Sequence, residues 1–160
     1  EHVDVTTEKR SEYLQAISAS RRLNNNGDKT YDSFDRDKEL SELLKSDDFI
    51  QLKEKEEFIL SITENGFGKR SSAFEYRLTN RGGSGIINIV TSKRNGPVVA
   101  SFLVESKDQI MLVTDRGKLI RSPIVDVRIA GRNTQGVTLF NTSDNEKVVS
   151  VARLEDNVEE

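Results

Sequence analysis

The amino-acid sequence predicts a mainly β protein with propeller-like, four-stranded blades, about two of them complete, and an N-terminal helical and flexible insertion. Three observations support this fold class: an internal repeat with a period of 51 residues, short β-branched runs in each repeat, and helical periodicity in the first third of the chain. About four short strands in about 50 residues are typical of one propeller blade.

The repeat covers residues 57–105 and 108–155. Ten residues of the first unit recur in the second, seven at a shift of 51 positions and three after a one-residue slip. They are Thr63, Gly66, Arg70, Ser71, Arg77, Arg81, Gly85, Val98, Val99 and Glu105. Because a loop can absorb the slip, we place the penultimate blade at 57–106 and the last blade at 107–155.

Short apolar runs predict the strands of each repeat. Residues 58–63 and 110–114 are rich in β-branched side chains and are too short for helices. Each run ends at a turn signal, Asn65-Gly66 in the first repeat and Arg116-Gly117 in the second. Further strands are predicted at 85–90, 97–104, 136–140 and 147–154.

Residues 6–56 have a different pattern and are predicted to form an acidic insertion between two blades. A helix is expected from Thr7, as its N-cap, to Arg22, with Tyr13 on its apolar face. A flexible loop is expected over 23–35. One or two short helices follow, with Ser46 as a cap between them, and their apolar residues are Leu40, Leu43, Leu44, Phe49, Ile50 and Leu52.

The two ends of the chain are assigned from the repeat. Glu1 occupies the position of Glu105 and Glu155, so residues 1–5 are interpreted as the tail of a preceding blade. Residues 156–160 are interpreted as an acidic tail. The first residue is not methionine, which indicates a piece of a longer chain.

Composition argues against several classes of protein. The sequence has no cysteine and a single histidine, His2, so neither a disulfide framework nor a metal cluster is predicted. No serine lies in a nucleophile-elbow context, and no catalytic residue is predicted. Apolar runs are too short for a membrane span and the start lacks a signal-peptide pattern, so we expect a soluble intracellular protein.

Charge is distributed unevenly along the chain. Residues 1–63 contain 10 Lys and Arg against 15 Asp and Glu, residues 64–132 contain 12 against 6, and residues 133–160 contain 2 against 6. The net charge of −3 therefore conceals a central block of +6 between two acidic segments. Such a block is the electrostatic footprint expected of a nucleic-acid partner.

Arginines recur at equivalent places in the two repeats: Arg70 with Arg121, Arg77 with Arg128, and Arg81 with Arg132. Blades packed side by side would place them on one rim, as a positive track for duplex phosphates. The predicted DNA-binding residues are Lys69, Arg70, Arg77, Arg81, Lys93, Arg94, Lys118, Arg121, Arg128 and Arg132. The structural alternative is that such residues prevent pairing of exposed strand edges. Their recurrence as a set favours DNA binding.

The glycine-rich stretch 81–85 opens a predicted strand. Its glycines would let backbone N–H groups approach a phosphate, or would simply form a tight loop, which is the favoured interpretation. The spacing and the strand context match neither a P-loop nor a dinucleotide fingerprint. No nucleotide site is predicted.

Five segments carry a resemblance to a known family: Glu57-Phe58-Ile59-Leu60, Asn65-Gly66-Phe67-Gly68-Lys69-Arg70, Glu75-Tyr76-Arg77, Arg94-Asn95-Gly96 and Gly131-Arg132-Asn133-Thr134-Gln135-Gly136-Val137. Through them residues 57–154 resemble the last blades of the C-terminal domain of bacterial DNA gyrase A. The resemblance implies a β-pinwheel, a disc of blades in which neighbours exchange a strand.

The resemblance also implies a function in a type II topoisomerase. The family wraps double-stranded DNA around the basic rim so that the ATP-dependent holoenzyme introduces negative supercoils. The implied partners are the remainder of DNA gyrase A, as a homodimer, and DNA gyrase B, in an A2B2 heterotetramer in the bacterial cytoplasm at the nucleoid. ATP and Mg²⁺ would be used by the holoenzyme, with no cofactor in this segment.

One departure from the family limits what is implied about wrapping. The family's gyrase A box has the form Gln-basic-Arg-Gly-Gly-basic-Gly, and residues 79–85 are only a degenerate echo of it. Two alternatives therefore stay open: the related C-terminal domain of topoisomerase IV, and a propeller-type scaffold for protein interactions.

Overall fold

The computed structural model describes residues 6–24, 31–77, 79, 81–143 and 145–155, with only the backbone described at 31–34. The chain divides into two compact units, Glu1–Glu56 and Glu57–Glu160. The described part of the first unit is helical and that of the second is β, which confirms the predicted fold class. The interpretations of 1–5 and 156–160 concern residues outside the described part.

The described part of the helical unit contains three α-helices. They are α1 (Thr7–Asn24), α2 (Tyr31–Glu42) and α3 (Asp47–Glu54), with a 3₁₀ turn at Leu43–Lys45. Helix α1 confirms the first predicted helix. It buries Tyr13, Ala16 and Ala19, whose spacing places them on one helix face.

The ends of these helices differ in detail from the prediction. The cap of α1 is Thr6 and not Thr7, because the Thr6 hydroxyl accepts a hydrogen bond from Lys9 N at 3.3 Å. The predicted loop at 23–35 was too long, since α1 continues to Asn24 and α2 begins at Tyr31. Polar composition alone does not distinguish a loop from the solvated first turn of a helix. Residues 25–30 lie outside the described part.

Ser46 is the N-cap of α3, as predicted, but its side chain acts differently from a standard cap. Its hydroxyl donates to Leu43 O at 2.8 Å, whereas its carbonyl accepts the first hydrogen bonds of α3. The side chain therefore fixes the preceding 3₁₀ turn, and the backbone begins the helix.

Polar contacts join α1 to other parts of this unit. The Tyr13 hydroxyl donates to Glu56 Oε2 at 2.8 Å, and its ring meets Phe49 edge-to-face at 5.8 Å. Burial and the neighbouring Glu56 carboxylate raise the pKa of Tyr13. Arg22 donates to both oxygens of the buried Asp37, at 2.6 to 3.1 Å. Tyr13 is thus a core residue, as its position on the predicted apolar face indicated.

Within the described residues, the β unit contains seven strands. They are β1 (Phe58–Thr63), β2 (Phe67–Ser72), β3 (Val98–Val104), β4 (Gln109–Thr114), β5 (Leu119–Pro123), β6 (Val137–Thr138) and β7 (Val148–Leu154). The strands form two antiparallel sheets, ordered β3-β1-β2-β6 and β5-β4-β7. The strands predicted at 58–63, 97–104, 110–114 and 147–154 are confirmed.

The sequence repeat is also a structural repeat. In the first sheet Phe58 pairs with Ser72 on one side and Val104 on the other, and in the second sheet Gln109 pairs in the same way with Pro123 and Leu154. Both central strands have a register shift before their last residue, Thr63 in one and Thr114 in the other. A 3₁₀ turn follows β2 and another follows β5.

The fourth strand of the first sheet comes from the second repeat. Strand β6 pairs with β2, with Phe67 opposite Thr138 and Gly68 opposite Val137. Arg70 extends this contact, because its N–H donates to Arg128 O at 2.9 Å and its carbonyl accepts from Ala130 N at 2.8 Å. The exchange of a strand between neighbouring blades, implied by the family resemblance, is confirmed.

Two strand predictions need correction. Residues 85–90 are not a strand, and the strand expected at 136–140 is reduced to Val137–Thr138. The apolar, β-branched residues at 85–90 suit a strand, but no strand of the described residues pairs with this segment. A sequence with strand propensity needs a neighbouring ladder to become a strand.

The core of the β unit contains side chains of both sheets. Leu60 and Ile62 of β1 cluster with Ile110 and Leu112 of β4, all at most 1% exposed. Ile124 and Val127, at and just after the second 3₁₀ turn, belong to the same cluster. Burial of one such side chain contributes about 1.5–3 kcal/mol. The two repeats therefore share one hydrophobic core, and packing of one against the other stabilises this unit.

The turns that join β1 to β2 and β4 to β5 share a glycine at the equivalent place. Three residues separate the strands in the first turn and four in the second, and in each the glycine, Gly66 or Gly117, donates its N–H to the last residue of the preceding strand. Gly66 has φ +77° and Gly117 has φ +78°, so both require the left-handed region. The hairpin signal at Asn65-Gly66 correctly predicted a turn, although only the glycine has a positive φ.

Buried Glu146 fastens the last loop to the second sheet. Its carboxylate accepts hydrogen bonds from Thr114 Oγ1 at 2.8 Å, Lys118 Nζ at 2.7 Å and Ser143 N at 3.0 Å. These contacts, the Lys118 ammonium first, lower the pKa of Glu146 from 4.5 to about 2. The ionised form is therefore stabilised by folding.

The Glu146 contribution to stability should disappear in acid. Because its pKa is lower in the folded state, the contribution is fully present above pH 4.5 and is lost as the pH falls from 4.5 to about 2. We expect Glu146→Gln to lower the melting temperature at pH 7 and to reduce its fall below pH 4.5, as followed by circular dichroism. Exposed Glu57→Gln is the control, and an equal effect of both variants would contradict the assignment.

Candidate nucleic-acid interface

The structure sorts the ten predicted DNA-binding residues by exposure. Seven side chains are exposed: Arg77, Arg81, Lys93, Arg94, Lys118, Arg121 and Arg128. Arg132 is half-buried, whereas Lys69 and Arg70 are buried in β2. The exposed side chains can contact a phosphate, whereas the charges of the buried ones are satisfied inside the protein.

Lys69 is an internal residue. Its side chain is fully buried, and its ammonium group donates to Gly131 O at 2.6 Å and Arg132 O at 2.7 Å. Burial lowers the pKa of Lys69 to about 8, opposed by the Glu75 carboxylate and reinforced by the Arg132 charge. The predicted phosphate contact at Lys69 therefore needs correction: its ammonium is covered by the second repeat.

Arg70 is the second internal residue, and its guanidinium joins the two repeats. Nε donates to Val127 O at 2.8 Å, and Nη2 donates to Val125 O at 3.3 Å. Its guanidinium carbon also lies 5.8 Å from the centre of the Phe58 ring. The predicted phosphate contact at Arg70 is corrected in the same way, because β2 is a central strand whose neighbours cover it.

Arg121 occupies the place of Arg70 in the second repeat but has different surroundings. It is exposed on β5, and its Nε donates to Gln109 Oε1 at 2.6 Å. No described strand pairs with the other edge of β5, whereas β2 has β6 there. Equivalent sequence positions therefore differ in exposure according to whether another strand follows.

Two basic residues pack on aromatic rings near the Gly66 turn. Arg94 lies over Phe67, 5.0 Å from the ring centre, and Lys118 lies over Phe140 at 5.6 Å. Gly66 O accepts hydrogen bonds from Leu139 N and Phe140 N, which brings the 139–140 segment to the turn. The Lys118 charge is compensated by buried Glu146, so Lys118 is less suited to binding a phosphate than Arg94.

The turn that carries Lys93 and Arg94 is fixed by two asparagines. Asn65 Nδ2 donates to Arg94 O at 3.0 Å and, less closely, to Lys93 O at 3.4 Å. Asn95 is fully buried, and its Nδ2 donates to Val90 O at 2.9 Å and Gln135 O at 3.1 Å. Two exposed cationic side chains thus extend from a turn whose backbone is held in place.

Arg132 lies at the centre of a second group of contacts. Its N–H donates to Glu75 Oε2 at 2.8 Å, and its Nη1 donates to Ile87 O at 2.7 Å. The guanidinium carbon is 5.8 Å from the centre of the Tyr76 ring. Because Tyr76 immediately precedes exposed Arg77, the structure brings the region of Arg132 close to the region of Arg77.

The side chains of Arg77, Arg81 and Arg128 are exposed, and each of these residues lies in or just after a turn. Arg77 and Arg128 each lie just after a 3₁₀ turn, and the carbonyl of Arg128 is paired with Arg70. Arg81 is in a turn with Gly82, whose φ is +78°. The glycine-rich stretch is therefore a tight turn at its start, which agrees with the favoured interpretation of its sequence.

Sequence reasoning did not identify Glu75, Asn88 or Asn95 as residues that organise this surface. Asn88 accepts a hydrogen bond from the Tyr76 hydroxyl and donates to Ser61 Oγ at 2.7 Å, which holds the 85–90 segment against the first sheet. One signal for Glu75 was available, because Asp126 occupies the same place in the second repeat. An acidic residue that recurs close to recurring arginines is expected to be a structural partner of that region.

None of the helices in the described part of the chain is both long and apolar enough to cross a bilayer.

Comparison with known proteins agrees with the repeat and with the β fold. A family model described as "DNA gyrase C-terminal domain, beta-propeller" matches residues 57–105 and 108–155, which are the two repeats. The C-terminal domain of DNA gyrase A, as a solved structure, superposes with a TM-score of 0.58 at 28% sequence identity, over 63% of this chain and 34% of that chain.

The solved C-terminal domain of DNA topoisomerase IV superposes with a TM-score of 0.57, over 62% of this chain and 31% of that chain. Its sequence identity is 23%, so this likeness shows the fold alone.

Two relatives cover the helical unit as well. DNA gyrase A of Rickettsia bellii is 46% identical over 152 residues, which is 95% of this chain and 16% of the relative. DNA gyrase A of Granulibacter bethesdensis is 46% identical over 157 residues, which is 94% of this chain and 17% of the relative. The chain spans 16–17% of the length of these relatives. The chain belongs to the DNA gyrase C-terminal domain family, whose fold is a β-propeller.

Proposed function

We propose that the β unit binds duplex DNA through its exposed arginines and holds it in a bent path. The observation that carries the proposal is the recurrence of exposed or half-exposed arginines at equivalent places in both repeats. They are Arg77 with Arg128 and Arg81 with Arg132. Lys93 and Arg94 add two exposed cationic side chains on a fixed turn. Because Lys69 and Arg70 are internal, we propose these residues, together with exposed Arg121, as the phosphate contacts.

The physical basis is charge neutralisation along the phosphate backbone. Each phosphate contacted by a basic side chain releases counterions, which adds affinity that does not depend on base sequence. Bending a site of about 20–30 base pairs by about 40–90° costs on the order of 1–6 kcal/mol. Several arginines acting together are needed to offset that cost, and a repeated fold supplies them at a fixed spacing.

The wider role is that of part of a type II topoisomerase. The relatives carry the name of DNA gyrase A, and on that basis we propose that this surface guides DNA for negative supercoiling. The remainder of DNA gyrase A and DNA gyrase B would be the protein partners, in the bacterial cytoplasm at the nucleoid. ATP and Mg²⁺ would be used by other parts of that assembly.

Titration of duplex binding against salt tests the proposal. With the intact chain and a mixed-sequence duplex of about 30 base pairs, we expect log K to fall linearly with log salt, by about 0.9 per phosphate contacted. Affinity should change little between duplexes of different sequence. A flat salt dependence, or no binding at low salt, would instead favour a scaffold for protein interactions.

A further inference from the structure

We infer that Lys69 and Glu75 are positioning residues for DNA binding, which hold Arg132 in the conformation that meets a phosphate. This inference rests on the proposed function, because it assigns Arg132 to the phosphate-contacting set. Neither residue would contact DNA itself. Lys69 is fully buried and Glu75 is an acid, which a phosphate would repel.

The backbone on both sides of the Arg132 Cα atom is bound at three atoms. Lys69 Nζ donates to the carbonyls of Gly131 and Arg132 at 2.6 and 2.7 Å, and Glu75 Oε2 accepts from Arg132 N at 2.8 Å. Charge-assisted hydrogen bonds of this length are about twice as strong as neutral ones. Lys69 and Glu75 both come from the first repeat, whereas the loop that they hold belongs to the second.

The side chain of Arg132 is also held in place. Nη1 donates to Ile87 O at 2.7 Å, and the guanidinium lies over the Tyr76 ring. An arginine whose backbone and side chain are already ordered loses less conformational freedom when it binds a phosphate. Exchange of the strand β6 thus brings the loop of one repeat to a buried lysine of the other.

Arg81 provides an internal comparison. It occupies the place of Arg132 in the first repeat, but Lys69 donates to the 131–132 loop and Glu75 accepts from it, and neither of these hydrogen bonds involves the turn of Arg81. Variants of Lys69 or Glu75 should therefore change the contribution of Arg132 to DNA affinity and leave that of Arg81 unchanged.

Two variants of Glu75 distinguish positioning from simple electrostatics. Glu75→Ala removes the charge and the acceptor, whereas Glu75→Gln removes the charge and keeps an acceptor for Arg132 N. Electrostatics alone predicts tighter DNA binding for both variants, because each removes a negative charge near the phosphate. Positioning predicts that Glu75→Ala weakens binding by between about twofold and tenfold, while Glu75→Gln does not weaken it.

The experiment measures binding of the intact chain to a duplex of about 30 base pairs by fluorescence anisotropy at one low salt concentration. Glu75→Ala and Lys69→Met are each combined with Arg132→Ala and, as the matched control, with Arg81→Ala. We expect the loss of affinity to vanish in the Arg132→Ala background and to persist in the Arg81→Ala background. Thermal unfolding of every variant checks the fold, and the Glu75 pair decides the question if Lys69→Met does not fold.

The outcomes separate the inference from the function on which it rests. Tighter binding by Glu75→Ala, or equal losses in both backgrounds, would overturn the positioning role while DNA binding stands. Unchanged binding by Arg132→Ala would overturn it too, although other arginines would still bind DNA. Failure of the unaltered chain to bind duplex would overturn both.

Discussion

Reversal of three exposed arginines, Arg77→Glu, Arg81→Glu and Arg128→Glu together, is expected to lower duplex affinity by about a hundredfold or more at low salt. Each substitution removes one phosphate interaction and introduces one repulsion. The slope of log K against log salt should become shallower by about 0.9 for each phosphate that is no longer bound. Both quantities come from one salt series measured by fluorescence anisotropy.

A matched control separates a specific surface from overall charge. Lys45, Lys53 and Lys55 are exposed in the helical unit, and their combined reversal to glutamate changes the net charge by the same amount. We expect this control to retain most of the affinity and nearly the full salt slope. An equal loss in both triple variants would mean that net charge, and not the arginines of the two repeats, determines DNA binding.

Gly66→Ala should be the most destabilising single substitution in the turns of the β unit. Gly66 has φ +77°, where a residue with a side chain costs about 1–2 kcal/mol. A Cβ atom there would also collide with the backbone carbonyl of Phe140. That carbonyl is held because Leu139 N and Phe140 N both donate to Gly66 O, so the clash cannot be relieved without loosening the segment after β6.

Gly117→Ala is the natural control for this prediction. Gly117 has φ +78° in the equivalent turn, yet a Cβ atom there would meet nothing within 4 Å. The two variants share the backbone cost, and their difference in urea unfolding free energy isolates the clash. We expect Gly66→Ala to lose at least about 2 kcal/mol more than Gly117→Ala. Equal losses would show that contact between the turn and the second repeat contributes little.

Much of the fold was predictable because the repeat and the hairpin glycines are local signals. Phe58–Thr63 and Gln109–Thr114 combine strand propensity with a turn that only glycine suits. The strand predicted at 85–90 was wrong for a non-local reason. Whether such a segment becomes a strand depends on a neighbouring edge, which its own residues do not specify.

The candidate site was predictable by residue type but not by exposure. Arg70 and Arg121 occupy equivalent places in the repeat, and only strand order shows that one is buried between the repeats and the other is on the surface. The burial of Lys69 was equally hard to predict, since a lysine beside an arginine in a basic block is expected at the surface. Its burial follows from the exchange of β6, a contact between residues far apart in the chain.

The exchanged strand has a consequence for how the two repeats form. The first sheet lacks its edge strand until Val137–Thr138 is available, so a ribosome must have released most of the second repeat before the first is complete. Repeats that each finish their own sheet can melt one by one, whereas these two share a sheet and a core. They should therefore unfold in a single transition. Although the first blade is synthesised first, it cannot finish folding until most of the second repeat has been made.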